Sequence, residues 1–197
     1  MDDTPPTRGP MTEAQIRAAW VREPPRLAGP VELVDYDPSW PELFAREAAR
    51  IRSALGAAVV LLEHTGSTSV PGLAAKPIVD MVMAVPDSAD EPAYVPALED
   101  VGYVLVIREP DWHEHRVFKG PDTNVNLHVF TIGSVEIERI LAFRDWLRAH
   151  DDDRLEYERE KRDLAAREWQ FIQNYADAKT EVVERIIARA LASRRDT

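Results

Sequence analysis

Between Thr65 and Asp80 the chain gathers groups that can hold an anion. Thr65-Gly66-Ser67-Thr68-Ser69 offers four hydroxyls around a glycine, Lys76 follows, and Asp80 closes the stretch. A Gly-Ser pair lets the main chain approach a phosphate closely, and small hydroxyl side chains add donors without adding bulk. Lys76 precedes Pro77, which biases its backbone to extended conformations and lets its ammonium reach back over the loop. It serves either as a phosphate contact or as the partner of Glu63 or Asp80. Asp80 sits in the apolar run Ile78-Val79-Asp80-Met81-Val82-Met83-Ala84-Val85. A carboxylate there is costly to bury unless it is paired, hydrogen-bonded or holding a metal, so it reads as a metal ligand or general base, or as a cap on the loop. His128 lies in Asn124-Val125-Asn126-Leu127-His128-Val129-Phe130, whose alternation puts Asn124, Asn126 and His128 on one face. Its imidazole is a candidate general base, with a hydrogen-bonded core histidine as the plainer reading. His113 and His115 with His128 give a three-imidazole metal site as an alternative.

The elements that must position these groups follow from periodicity. Ala57 to Leu62 and Ile78 to Val85 read as buried strands that flank the loop. Val31 to Val34, Tyr103 to Ile107, His115 to Lys119 and Asn124 to Phe130 read as further strands. A helix starting at Pro38 or Pro41 carries Leu43, Phe44, Ala48, Ile51 and Leu55 on one face and ends at Gly56. A weaker helix spans Asp90 to Val101. From Ser134 onward the pattern is helical, in three segments: Val135 to Ala149, Asp151 to about Ala176, and Asp177 to Ala192. Arg144, Arg148, Tyr157, Lys161, Tyr175 and Lys179 lie on these helices, and a few of them can project toward the loop. Residues 1–30 hold six of the 15 prolines and read as an extension, with Thr12 capping a short helix from Glu13 to Trp20; the rest, 31–197, reads as one domain.

The segments Val31 to Pro41, Glu63 to Asp80, Leu127-His128-Val129 and Leu141 to Arg148 together resemble the GrpB family, of nucleotidyltransferase-like fold. The resemblance implies an α+β fold: a small, mixed, twisted sheet flanked by helices with a helical C-terminal segment. It also implies that Thr65, Gly66, Ser67, Thr68, Ser69 and Lys76 bind phosphate, that Asp80 holds Mg²⁺ with a nucleoside triphosphate, and that His128 takes the acceptor proton. Nucleotidyltransferases usually carry a second carboxylate two positions after the first. Here that residue is Val82. The expected function is therefore nucleotide or phosphometabolite binding, with nucleotidyl or other group transfer to a small acceptor. The rivals are an accessory binding module of the same fold and a nucleotide-independent enzyme using the same cavity.

Composition narrows the partners. A formal net charge of -11 opposes binding to a nucleic-acid backbone but leaves room for a small phosphorylated ligand in a local basic pocket. With no cysteine, disulfides, iron-sulfur clusters and thiolate zinc sites are excluded, and no haem or flavin motif is expected. No apolar run approaches the roughly 20 residues that cross a bilayer, and the chain reads as cytoplasmic. Its oligomeric state is not legible.

Overall fold

The computed structural model describes residues 9–195, so Pro5 and Pro6 of the expected extension lie outside the described residues. Five strands form one sheet: β1 (Leu61–Thr65), β2 (Val79–Val85), β3 (Val104–Glu109), β4 (His115–Lys119) and β5 (Val125–Thr131). Their order is β1-β2-β5-β4-β3. The β2–β5 pair is parallel and the other pairs are antiparallel, so the sheet is mixed and the fold α+β.

Period-2 alternation divides the sheet residues between two layers. Met81, Met83, Leu127, Val129 and Phe118 are buried on one side with Ala48 and Ile51 of α2 (Trp40–Leu55) and Leu98 of α3 (Val95–Asp100). Val82, Ala84 and Phe130 pack on the other side against Ile137 of α4 (Val135–Ala149). Three more helices extend this second layer: α5 (Asp151–Ala165), α6 (Ile172–Ala178) and α7 (Thr180–Arg195). α5 and α7 join α4 through a core of Val70, Leu73, Leu147, Tyr157, Val182 and Ile186, and Tyr175 of α6 packs with Leu164 and Ala165 of α5. Val70 and Leu73 fix the outer limb of the Gly-Ser loop in that core.

Several boundaries differ from the sequence pattern. The helix expected from Asp90 to Val101 is a 3₁₀ turn at Glu91–Ala93 followed by the short α3, the chain breaking at Tyr94 with φ -140. Val31 to Val34 forms no strand; Val34 alone exchanges two backbone hydrogen bonds with Ala75, at 2.8 and 2.9 Å. The strand expected from Ala57 begins at Leu61, because Gly56–Ala58 closes a 3₁₀ turn first. The helix expected from Asp151 to Ala176 breaks after Ala165. Trp169 donates its indole N–H to the Leu164 carbonyl at 2.8 Å, and the Asn174 side chain accepts the Phe171 N–H at 3.0 Å to start α6.

Helix α1 (Glu13–Ala19) is where the sequence puts it, with Thr12 and Gln15 forming a reciprocal capping box. It is no loose tether. Ile16 is buried, Val21 N–H reaches the Val106 carbonyl at the open edge of β3 at 2.9 Å, and Leu27 N–H reaches Gln170 at 3.0 Å.

Candidate functional site

Gly66 stands at the end of β1 with φ +64, in the left-handed region that favours glycine. A Cβ there would come within 2.4 Å of Asp80 Oδ2. Glycine is thus what lets the loop backbone lie against the carboxylate. Asp80 is held from its other oxygen, where Asn126 donates at 2.7 Å, and Lys119 in turn donates to Asn126. The alternation of β5 delivers Asn126 to this face, as the sequence implies, and Lys119 faces it across the β4–β5 register.

The loop spends part of its polar inventory on itself. Thr68 bonds His64 at 3.0 Å, Ser69 Oγ donates to the Gly66 carbonyl, and both residues are buried. Ser67 Oγ accepts from Lys161 at 3.0 Å and is hydrogen-bonded to Tyr157. The loop's internal backbone bonds start from the N–H of Ser69 and Val70. The N–H groups of Ser67 and Thr68 have no protein acceptor among the described residues. Of the expected phosphate cradle, Thr65, Gly66 and Lys76 line the large cavity, whereas the Thr68 and Ser69 hydroxyls are tied into the loop.

That cavity, about 490 Å³, opens between the sheet and the C-terminal helices, with Asp80, Lys76, Lys119 and Lys179 at the loop end. The chain contains only four lysines, Lys76, Lys119, Lys161 and Lys179, among 24 cationic residues. Lys76, Lys119 and Lys179 meet here. None of the four forms an ion pair with an acid among the described residues, although Asp80 acts on Lys76, Lys119 and Lys179 at longer range. Burial pulls Lys76 down to about 8, with repulsion from Lys179 adding to it. Burial also takes Lys179 to about 8, takes Lys161 to about 7 with help from Lys179, and lowers Lys119. Lys76 and Lys179 both lie over the Tyr175 ring, at 5.4 and 4.5 Å from its centroid. The alternative pairing of Lys76 with Glu63 is not made, since Glu63 binds Arg144 at 2.8 Å.

A second set of groups lies farther along the same face. Glu109 Oε2 accepts from His115 Nδ1 at 2.8 Å, and His115 Nε2 is 3.0 Å from His128 Nδ1. A carboxylate at Nδ1 fixes the N–H of neutral His115 there and makes its Nε2 the acceptor for His128 Nδ1–H. The Nε2 of His128 then carries a lone pair, and His128 lines the cavity. Burial is the main reason the His128 pKa falls to about 4, with repulsion from His115 second, so the ring is neutral at pH 7. The three-imidazole metal site is not assembled. His113 sits in a turn at φ 53 against Trp112, and His115 and His128 spend facing nitrogens on each other.

The residues also fail to fit a two-metal clamp. Asp80 is the single carboxylate of β2 on this face, Val82 is fully buried where the second would stand, and three ammoniums surround the site. No group of three His, Asp or Glu able to hold a metal occurs among the described residues. The cavity's other acids are already engaged: Glu109 with His115, and Glu136 and Glu184 with Arg139.

Sequence reasoning reached Asp80, His128, Gly66 and Lys76 and allowed at most one of Arg116 and Lys119 a place, which falls to Lys119; it missed Asn126 as the Asp80 donor and the Glu109-His115 pair. The available signal was lysine scarcity in an arginine-rich chain. No described helix is long and apolar enough to cross a membrane.

Comparison with known proteins accords with the fold. Residues 30–189 match the family described as GrpB protein. A UPF0157 protein of Halalkalibacterium halodurans is 57% identical over 184 residues, covering 93% of this chain and 94% of its own. The crystal structure of the conserved protein GrpB from Enterococcus faecalis superposes with a TM-score of 0.73 at 30% identity, covering 83% of this chain and 99% of that one. A dephospho-CoA kinase of Mycolicibacterium paratuberculosis is 29% identical over 164 residues, 70% of this chain but 40% of the kinase.

Proposed function

We propose that this chain, which belongs to the GrpB family, binds a nucleotide or another phosphorylated metabolite through its lysine cluster and transfers a group from it to a small acceptor. The observation that carries the reading is the convergence of Lys76, Lys119 and Lys179, three of the chain's four lysines, on the cavity that holds the Gly66–Asp80 contact, with no acidic ion-pair partner among the described residues. Cations held in a partly dry cavity at depressed pKa regain favourable energy when an anion arrives, which is the condition for phosphate recognition. Lysine suits the task because its compact ammonium adjusts its protonation to the ligand, whereas arginine cannot. The similarity to part of a dephospho-CoA kinase supports a nucleotide-like ligand by analogy.

In this reading Lys76, Lys119 and Lys179 neutralise the phosphate, and the N–H groups of Ser67 and Thr68 complete its coordination. Asp80, fixed by Asn126 and seated against Gly66, keeps the three ammoniums gathered. His128 Nε2 accepts the proton of the attacking hydroxyl or amine. The charge that develops on its ring is stabilised through His115 by Glu109, which holds both rings in the required tautomer. The reading with binding and no turnover draws on one specific observation, Val82 in place of a second carboxylate.

Calorimetric titration of the wild type with ATP, CTP, GTP and coenzyme A, each with and without Mg²⁺, tests the site. At least one should bind, without dependence on Mg²⁺, and Lys179→Met should weaken it about 10- to 100-fold, the loss of one charge-assisted contact. His128→Asn should leave that affinity within about threefold while abolishing any turnover. Absence of binding, or indifference to Lys179→Met, overturns the proposal. Binding that persists with no turnover in any acceptor screen retains the binding function and removes the transfer step.

A further inference from the structure

We propose, building on the anion-binding reading, that residues 11–27 form a specificity-determining wall, so that the ligand is a phosphate ester carrying an apolar group. The cavity is too large for a phosphate alone, falling within the roughly 300–1,000 Å³ range of small-molecule sites. Its cationic end accounts for the anionic head. The cavity is also lined by apolar side chains, Ile16, Trp20 and Pro24 of the N-terminal segment together with Val106, Ile140 and Phe143.

Four ties hold the segment in place. Met11 N–H donates to Asp177 at 2.9 Å, Val21 N–H to Val106 at 2.9 Å, Leu27 N–H to Gln170 at 3.0 Å, and Gln170 donates to Glu13 at 3.2 Å. These bonds join it to β3 on one side and to the α5–α6 junction on the other, so it spans the cavity. Shielding the free edge of β3 would explain the Val21 contact. It does not explain why Ile16 and Trp20 are turned to the cavity. The segment also precedes residues 30–189, the part matching the family description, so the anion end belongs to the matched region and the apolar wall lies outside it. A wall of this kind rewards an apolar substituent by removing it from water and gives nothing to a bare phosphate.

The test uses the full chain and three probes: inorganic pyrophosphate, octyl phosphate and AMP. Wild type should bind octyl phosphate or AMP at least tenfold more tightly than pyrophosphate, and which of the two is tighter distinguishes an alkyl from a nucleobase substituent. Trp20→Ala should erase most of that preference while leaving pyrophosphate affinity within about twofold, a control that also reports an intact loop. Trp20→Phe should fall between. If wild type shows no preference, or if Trp20→Ala weakens all probes equally or none, the wall assignment fails while the lysine site stands. If no probe binds, the lysine reading fails, and the wall falls with it.

Discussion

The Gly66–Ser69 loop separates two basic hollows that differ in the state of their cations. On one side, Gly66 borders the lysine cavity. On the other, Ser69 borders a hollow of about 630 Å³ with Arg144, Arg148 and Arg154. The second is larger and just as rich in cations, yet its arginines are occupied. Arg144 binds Glu63 at 2.8 Å, Asp145 at 2.7 Å and the His64 carbonyl at 3.0 Å. Arg148 makes a two-pronged contact to the Ser69 carbonyl at 2.9 and 2.8 Å, and Arg154 binds Asp151 at 3.0 Å. The lysines opposite have no such acidic contacts. On the proposed reading, what marks the ligand site is charge left uncompensated by the fold, not the number of cations or the size of the void. The arginines are struts that brace the loop from behind, and the lysines are what the braced loop presents.

Replacing the glycine that seats the loop against Asp80 should break the comparison most severely. Gly66→Ala adds a left-handed alanine and a 2.4 Å clash with Asp80. The expected cost is about 2 to 5 kcal/mol from strain and overpacking together. Phosphate binding should be lost as the carboxylate is displaced from Asn126. Thermal unfolding and calorimetry measure the two effects, and an alanine variant with unchanged affinity would refute the seat assigned to Gly66.

A smaller effect should separate the two hollows. Arg144→Met removes charge-assisted bonds to Glu63 and to the His64 carbonyl, and stability should drop by about 1 to 3 kcal/mol, with the melting temperature lowered by roughly 2–4 °C for each. Affinity for the phosphate ligand should change less than about threefold. Lys179→Met should do the reverse, weakening binding while leaving stability level or higher, because it removes a buried charge that no acid pairs. If both variants shift the same quantity, the distinction between strut and site collapses.

The legible parts of this molecule are those governed by local rules. The capping box at Thr12, the end of α2 at Gly56, the span of α4 and the alternation of β5 each depend on neighbours a few residues away, and each stands where the pattern puts it. The helix from Asp151 was read through its break because the stop is made by Trp169 and Asn174 contacts that no periodicity encodes. In the site, Gly66, Asp80 and His128 were visible because their types conflict with their surroundings. Lys119 and Glu109 look like ordinary strand residues until the β4–β5 and β3–β4 registers bring them to the same face. The role of Trp20 was hidden for the same reason. Its spacing from Ile16 announces a helix face but not what that face covers.

The subtlest way to sharpen the comparison is to titrate it. Unfolded lysines release their protons near their ordinary value of 10.5, whereas folded Lys76 and Lys179 do so near 8, burial being the chief cause in both. Between about pH 8 and 10 the unfolded chain thus holds protons that the folded chain has lost, and stability rises with pH. Anion affinity runs the other way, because the ammoniums that attract phosphate are neutralised over the same interval. Arginine stays charged throughout, so the second hollow contributes to neither slope. Tyr157, pushed up to about 12 by burial, opposes the stability trend only above pH 10, near the unfolded tyrosine value. Unfolding by denaturant and calorimetric binding, both run from pH 7 to 9.5, should give slopes of opposite sign. Bound phosphate should also draw the lysine pKa values back up. Titrations near pH 8 in buffers of different ionisation enthalpy should then register net proton uptake. Parallel slopes, or binding without proton uptake, would mean that the anion is held elsewhere than among the lysines.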